Sequence, residues 1–299
     1  MNSQSKLLSK FIPWFMLIIL AIIWGSSFIL MKKGLVSLTP GEIGGIRILS
    51  AAVFLIPVSL PIIRKIKRKH WIYLFISGFL GSLIPSVLFP IAQTRIDSGI
   101  AGVLNALTPL FTILVGASYF HSKFTLRTVI GIFIGFVGSI VLITAGSVGS
   151  WWNINIYALL IVLATFFYGI NVNLIKYYLG DMRPAHITSI SMLIVSPFAF
   201  IYLLVQSDIT SKIYNDPQVW IPLFYVILLG VVGTALALIL FNRMLKITNT
   251  VFASSVTYLI PIVAVIWGLI DNEVLLFNHY LGMAGIIVGV LIANLSEKH

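Results

Sequence analysis

The residues able to do chemistry in this 299-residue sequence are sparse, and nearly all of them interrupt long apolar runs. Trp24, Ser27, Asn105, Tyr168, Asn171, Thr257 and Tyr258 lie near the middles of such runs, together with Ser26, Ser82, Thr108, Asn173 and Thr234. An amide in hydrocarbon needs several hydrogen-bond partners, so Asn105 and Asn171 point to a polar hollow. An apolar wall with a few hydrogen-bonding groups suits a small amphipathic molecule, whose planar or cationic group the rings of Trp24, Tyr168 and Tyr258 can stack on. The plainer alternative is that Ser27 and Thr257 bond to their own helix backbone while the rings fill space between helices. Arg47 is the only basic residue well inside a run, and a guanidinium there can hold a carboxylate bidentately. It also lies about one turn from a helix end, within reach of headgroups and of Glu42.

Other chemistries lack their residues. There are no cysteines, which excludes disulfides, thiolate metal sites and a cysteine nucleophile. His70, His121, His186, His279 and His299 fall at loops, helix ends or the C-terminus and never at metal-ligand spacing. Gly-x-Ser-x-Gly, His-Glu-x-x-His, Walker and dinucleotide signatures are absent. No Asp or Glu lies near the middle of a run, so no carboxylate relay for protons is visible. The expectation is a protein without catalytic residues, metal or cofactor.

The elements that must position these residues follow from composition. Hydrophobic residues make up 59% of the chain and charged residues 9%, with a mean hydropathy of +1.07, against about 25% charged in a soluble domain. A helix needs on the order of 20 apolar residues to cross the hydrocarbon layer. The sequence predicts ten such spans, at 12–30, 43–63, 71–92, 99–120, 126–145, 156–179, 187–205, 219–241, 251–270 and 280–295. The runs are uniformly apolar and too long for barrel strands, which gives an all-α membrane protein. Lys and Arg resist translocation. With the N-terminus inside, fourteen of them fall in inner segments and four, Lys32, Lys33, Arg95 and Lys212, in outer ones, which places both termini in the cytoplasm. This asymmetry accounts for the net charge of +11 and leaves no case for nucleic acid as a partner.

The sequence also repeats itself. A shift of 144 lays Gly25 on Gly169, Leu30 on Leu174, Lys32 on Lys176 and Pro40 on Pro184. A shift of 152 lays Gly78 on Gly230, Gly81 on Gly233, Ala101 on Ala253, Pro109 on Pro261 and Gly116 on Gly268. The halves are 1–150 and 151–299, and five spans in each give the second half the opposite orientation. Such inverted repeats suit alternating access around a central site. Pro109 and Pro261, close to mid-span, could serve as gating pivots or simply shape the bundle. Gly131 with Gly135, and Gly285 with Gly289, form small-residue faces for helix packing or, on a bolder reading, for a homodimer.

The segments Trp24-Gly25-Ser26-Ser27-Phe28, Pro40 followed by Ile46 to Ala52, Ala101 to Leu104 leading to Thr108-Pro109-Leu110-Phe111-Thr112, and Gly131 to Gly138 resemble the repeated motifs of EamA-type proteins of the drug/metabolite transporter superfamily. The second copy is similar but more diverged, with Tyr168-Gly169-Ile170-Asn171, Leu259-Ile260-Pro261-Ile262 and Gly282 to Gly289. The resemblance implies ten transmembrane helices, a cavity among helices 1, 3, 4, 6, 8 and 9, and a place in the bacterial cytoplasmic (inner) membrane. It further implies export or uptake of small metabolites such as amino acids. Two features depart from the family pattern. Where a Gly-Glu pair follows the fourth and ninth helices, this chain has His121 and then Asp271, Asn272 and Glu273, and Arg47 aligns with Ser191 in the second copy. The expectation is a secondary transporter, most readily an exporter of amino acids or related metabolites, with a small-molecule substrate and the bilayer as its partners. The rivals are an intramembrane enzyme acting on lipid-linked intermediates and a non-transporting scaffold.

Overall fold

In hydrocarbon a backbone N–H has no water to bond, so apolar segments of this length close their hydrogen bonds internally as helices. The computed structural model describes residues 3–120, 125–144, 155–248, 253 and 256–295, and among them there is no strand. The first half forms α1 (Ser3–Gly34), α2 (Pro40–Ser59), α3 (Arg68–Gln93), α4 (Ser98–Phe120) and α5 (Leu126–Thr144). The second forms α6 (Ile156–Tyr178), α7 (Pro184–Val205), α8 (Pro217–Ile247), α9 (Val256–Ile270) and α10 (Phe277–Leu295). Among the described residues seven helices, α1 to α4 and α6 to α8, are long and apolar enough to cross a membrane; α9 and the Val129–Leu142 stretch of α5 are shorter apolar helices. The expected boundary at 150/151, His121, His299, the end of the fifth predicted span and the start of the ninth lie outside the described residues.

Helix ends differ from the hydropathy windows where polar groups decide them. α2 starts at Pro40 because Thr39 and Glu42 close a capping box around its first turn. α8 runs past its apolar window through Asn242, Arg243 and Lys246. The connection between α7 and α8 holds a short helix, Ile209–Asn215, that the apolar pattern does not announce. Large apolar side chains such as Phe15, Phe54, Phe133, Phe200 and Phe224 point outward, as a lipid-facing surface requires.

The helices pair in a regular way. α1 packs on α9 and α4 on α6, α2 lies against α7, and α5 lies against α10. The last pair is built on glycine. A Cβ at Gly138 would lie 2.6 Å from the Ile286 nitrogen, one at Gly285 2.9 Å from the Gly138 Cα, and one at Gly289 2.3 Å from the Gly135 nitrogen and 2.6 Å from the Gly131 oxygen. Gly131, Gly135, Gly285 and Gly289 therefore take part in a close helix contact within the chain.

Backbone irregularity sits elsewhere than the prolines alone suggest. Pro109 follows a 3₁₀ turn, Asn105–Leu107, whereas Pro261 lies inside an uninterrupted α-helix. The irregularity common to both halves is a π-helical turn, at Phe79–Leu83 in α3 and at Val231–Leu236 in α8. These sit 152 residues apart, in the register of the sequence repeat. Gly138→Val should lower the thermal unfolding midpoint of the detergent-solubilised protein by several degrees, in keeping with about 1–3 kcal/mol for overpacking. The outward-facing Ile140→Val should leave it unchanged in the same fluorescence melt.

Candidate functional site

Beside the two π-helical turns the helices line a cavity of about 130 Å³. One water needs about 10–15 Å³, so the hollow has room for a small solute. It lies among α1, α3, α4, α6, α8 and α9, with Arg47 reaching in from α2. The structure brings together seven of the eight residues singled out from sequence: Trp24, Ser27, Arg47, Asn105, Tyr168, Asn171 and Thr257. Tyr258 is not in the lining and packs against the apolar core. Ser26 accepts a hydrogen bond from Trp267 Nε1 at 2.8 Å, and Asn173 donates to the Thr112 and Gly169 carbonyls at 2.8 and 2.9 Å. Both tie helices together away from the cavity.

The lining follows the repeat. At a shift of 144, Trp24 matches Tyr168, Ser27 matches Asn171, Phe28 matches Val172 and Met31 matches Ile175; at 152, Gly81 matches Gly233, Ser82 matches Thr234, Phe89 matches Phe241, Asn105 matches Thr257 and Thr108 matches Ile260. Both members of every pair line the cavity. Arg47, Thr112, Leu238, Asn242 and Val256 line it without a matched partner there. Single-residue reasoning missed the rings of Phe28, Phe89 and Phe241, which the repeat register itself could have supplied. It missed Asn242 because that residue lies beyond the apolar window of its helix.

Most hydroxyls engage their own helix: Ser27 Oγ donates to the Ile23 carbonyl at 2.9 Å, Thr108 Oγ1 to Asn105 at 2.9 Å and Thr112 Oγ1 to Thr108 at 2.9 Å. The second π-helical turn is held from outside, with Trp24 Nε1 donating to the Gly233 carbonyl at 3.0 Å and Arg47 Nε donating to Thr234 Oγ1 at 2.7 Å. Asn171 presses against Gly81, where a Cβ would lie 2.2 Å from its Nδ2. Its Oδ1, and that of Asn242, are buried and have no hydrogen-bond partner among the described residues. Two unmet acceptors at the edge of a hollow are the groups a ligand's donors would engage.

Ion pairs mark the two ends of the bundle. At one end Glu273 accepts from Ser98 N at 2.9 Å, Ser98 Oγ at 2.6 Å and Gly99 N at 2.9 Å, capping α4, and it meets Lys32 Nζ at 2.8 Å. Asp271 binds Lys32 at 2.8 Å and also Lys33. The acid that follows α9 thus caps a helix of the first half and ties it to α1; its counterpart position, His121, is outside the described residues. Nearby, Glu42 pairs with Lys212 at 2.7 Å and with Ser207, and not with Arg47. At the other end Asp181 pairs with Lys69 and with His70. Among the described residues no cluster of His, Asp and Glu could hold a metal ion.

Titration of the first latch has a definite sign. Hydrogen bonds from Lys32 and Lys33 hold Asp271 below its ordinary carboxylate value. Burial pushes Glu273 up, but its bonds from Lys32, Ser98 and Gly99 prevail and hold it down. Asp97 is raised by burial and by the neighbouring Glu273 charge.

Against this geometry, the profile of the EamA-like transporter family matches residues 12–144 and again 155–295. The chain belongs to the EamA-like transporter family. It is accordingly a multi-pass membrane transporter, with a small-molecule substrate and a bilayer around it. An uncharacterized inner membrane transporter of Escherichia coli K12, YedA, is 26% identical over 288 residues, covering 93% of this chain and 89% of that one. An uncharacterized transporter of Archaeoglobus fulgidus is 29% identical over 183 residues, a match that spans 61% of this chain and 64% of the relative. One solved crystal structure superposes with a TM-score of 0.65 at 14% identity, covering 94% of this chain and 96% of that one, a likeness of fold alone.

The folded-state values of Asp271 and Glu273 lie below their unfolded ones, so the latch stabilises fully above the ordinary carboxylate range, about pH 4, and is lost as pH falls through the lowered values. The raised Asp97 contributes with the opposite sign. The melting midpoint should therefore fall on acidification below about pH 5, and fall less in a Lys32→Met, Lys33→Met double variant. Identical pH profiles for the two proteins would show that the latch carries no stability.

Proposed function

We propose that this chain is a secondary transporter exporting amino acids or related small metabolites across the cytoplasmic membrane by alternating access. In this reading ten transmembrane helices form two inverted five-helix repeats, residues 1–150 and 151–299, with both termini cytoplasmic. The observation that carries it is the lining itself: matched residues from both halves surround one hollow. The paired packing of α1 on α9 and α4 on α6, the two π-helical turns in register and the family profile that fits twice all support the same duplication. Inverted repeats give two conformations of related energy by exchanging the shapes of the halves, which is what moving a solute past a fixed site requires.

The direction of the basic residues supports the orientation, with Lys69 and Lys246 at the Asp181 end. The Lys32–Glu273 latch then closes the outer end, and transport requires it to open. An enzyme acting on lipid-linked intermediates would need an acid or base at the cavity, and among the described residues the lining holds neither carboxylate nor imidazole.

Reconstituted into liposomes, the protein should move members of a metabolite panel, assayed with and without a pH gradient. Asn171→Ala and Asn105→Ala should each lower flux by about tenfold or more, the loss of a hydrogen bond to a buried polar group, while melting stays near wild type. Wild-type flux in both variants would remove these residues from the site.

A further inference from the structure

Among the described residues Arg47 is the one charged residue of the cavity wall, and no described carboxylate neutralises it. A guanidinium stays protonated and carries five N–H donors. Nε donates to Thr234 Oγ1 at 2.7 Å, and Arg47 makes no ion pair among the described residues. The sequence has eight acids. Seven are described, none lines the cavity, and the eighth, Glu297, belongs to the last three residues of the chain. Glu42, little more than one turn before Arg47 on α2, is engaged by Lys212, Ser207 and the Thr39 amide. A partly buried cation without a counter-charge is less favourable than a paired one, and a ligand that brings the missing charge lowers that cost.

We infer that the cavity selects organic monoanions: a carboxylate received by Arg47 and an uncharged body lying among the rings of Trp24, Phe89, Tyr168 and Phe241. The inference rests on the transport reading of the same cavity and narrows its substrate class, favouring related metabolites that carry a lone carboxylate over the amino acids themselves. Thr234 occupies the Nε edge, so the carboxylate meets the guanidinium end-on through its two terminal nitrogens, a bidentate geometry. The unmet Oδ1 atoms of Asn171 and Asn242 favour a body with a hydroxyl or amide donor. No wall carboxylate receives an ammonium group, so a zwitterion leaves the occupied site with a net positive charge and a monoanion leaves it neutral. The pairing is one-sided, because Ser191, the repeat counterpart of Arg47, is absent from the lining. The same guanidinium thus serves both conformations of an alternating cycle.

The test uses the full chain, in detergent for thermal shift and in liposomes for flux, with four probes that share a benzyl group: phenylacetate, its isostere phenylacetamide, phenylalanine and phenethylamine. Phenylacetate should raise the melting midpoint and bind about tenfold or more tightly than phenylacetamide, the worth of a charge-assisted pair. Phenylalanine should be weaker than phenylacetate, and phenethylamine without effect. Arg47→Gln should bring phenylacetate down to the level of phenylacetamide, with Arg47→Lys between; if Arg47→Gln does not fold, the wild-type ratio decides. Equal response to the acid and the amide, preference for the zwitterion or the amine, or no shift with any probe would overturn the inference. So would chloride or inorganic phosphate matching phenylacetate, since the organic body would then go unread. Acid-selective stabilisation without flux of any probe would sink the transport reading while leaving the anion site standing.

Discussion

A polar group inside a hydrocarbon layer must find its partner within the protein, and the arrangement of this chain turns on that constraint. Backbone amides meet it by closing helices. The side-chain amides of Asn173 and Asn242 meet it by bonding neighbouring helices, and most hydroxyls by bonding their own. Of the buried side-chain atoms left without a partner among the described residues, the Oδ1 atoms of Asn171 and Asn242 belong to residues that line one hollow, beside Arg47, while those of Gln93 and Ser191 lie elsewhere. Charged groups are otherwise kept to the ends of the bundle, in the Lys32–Asp271–Glu273 and Lys69–Asp181 clusters.

Rigid and yielding contacts are separated in the same way. α5 and α10 meet backbone to backbone through Gly138, Gly282, Gly285 and Gly289, a seam with no room for sliding side chains. Two of the helices around the cavity, α3 and α8, carry π-helical turns instead, and π turns are common at functional sites because they break the regular register of a helix. Gly81 and Gly233 sit within those turns. A Cβ at the first would collide with Asn171, and one at the second would crowd Ser27 at 3.1 Å, so each glycine lets the first helix of one half approach the third helix of the other.

Much of this is legible in the sequence because the bilayer simplifies the pattern. Apolar length located the helices, and the displaced self-alignment that pairs Gly81 with Gly233 also pairs the cavity walls. What was hidden depends on three-dimensional partners. Glu42 is a capping residue and a partner of Lys212, a role set by a loop some 170 positions away. The glycine faces on α5 and α10 read from sequence as a packing surface without a named partner, and only the structure shows that each packs against the other. Tyr258 and Thr257 are adjacent on one helix, and only the rotation of α9 decides that Thr257 faces the hollow. Asn242 escaped because hydropathy marks where a helix is apolar and not where it ends.

The central claim is that the two halves exchange roles around one cavity. Met31 and Ile175 are counterparts under the repeat and line its opposite ends, and a chain without native cysteine allows each to be replaced by cysteine alone. In membrane vesicles carrying Met31→Cys or Ile175→Cys, impermeant thiol reagents applied from the Glu273 side and from the Asp181 side measure access to each end. The account predicts that breaking the latch with Glu273→Ala speeds labelling of the first cysteine and, in parallel, slows labelling of the second. Simultaneous acceleration at both, or no change at the second, would contradict it.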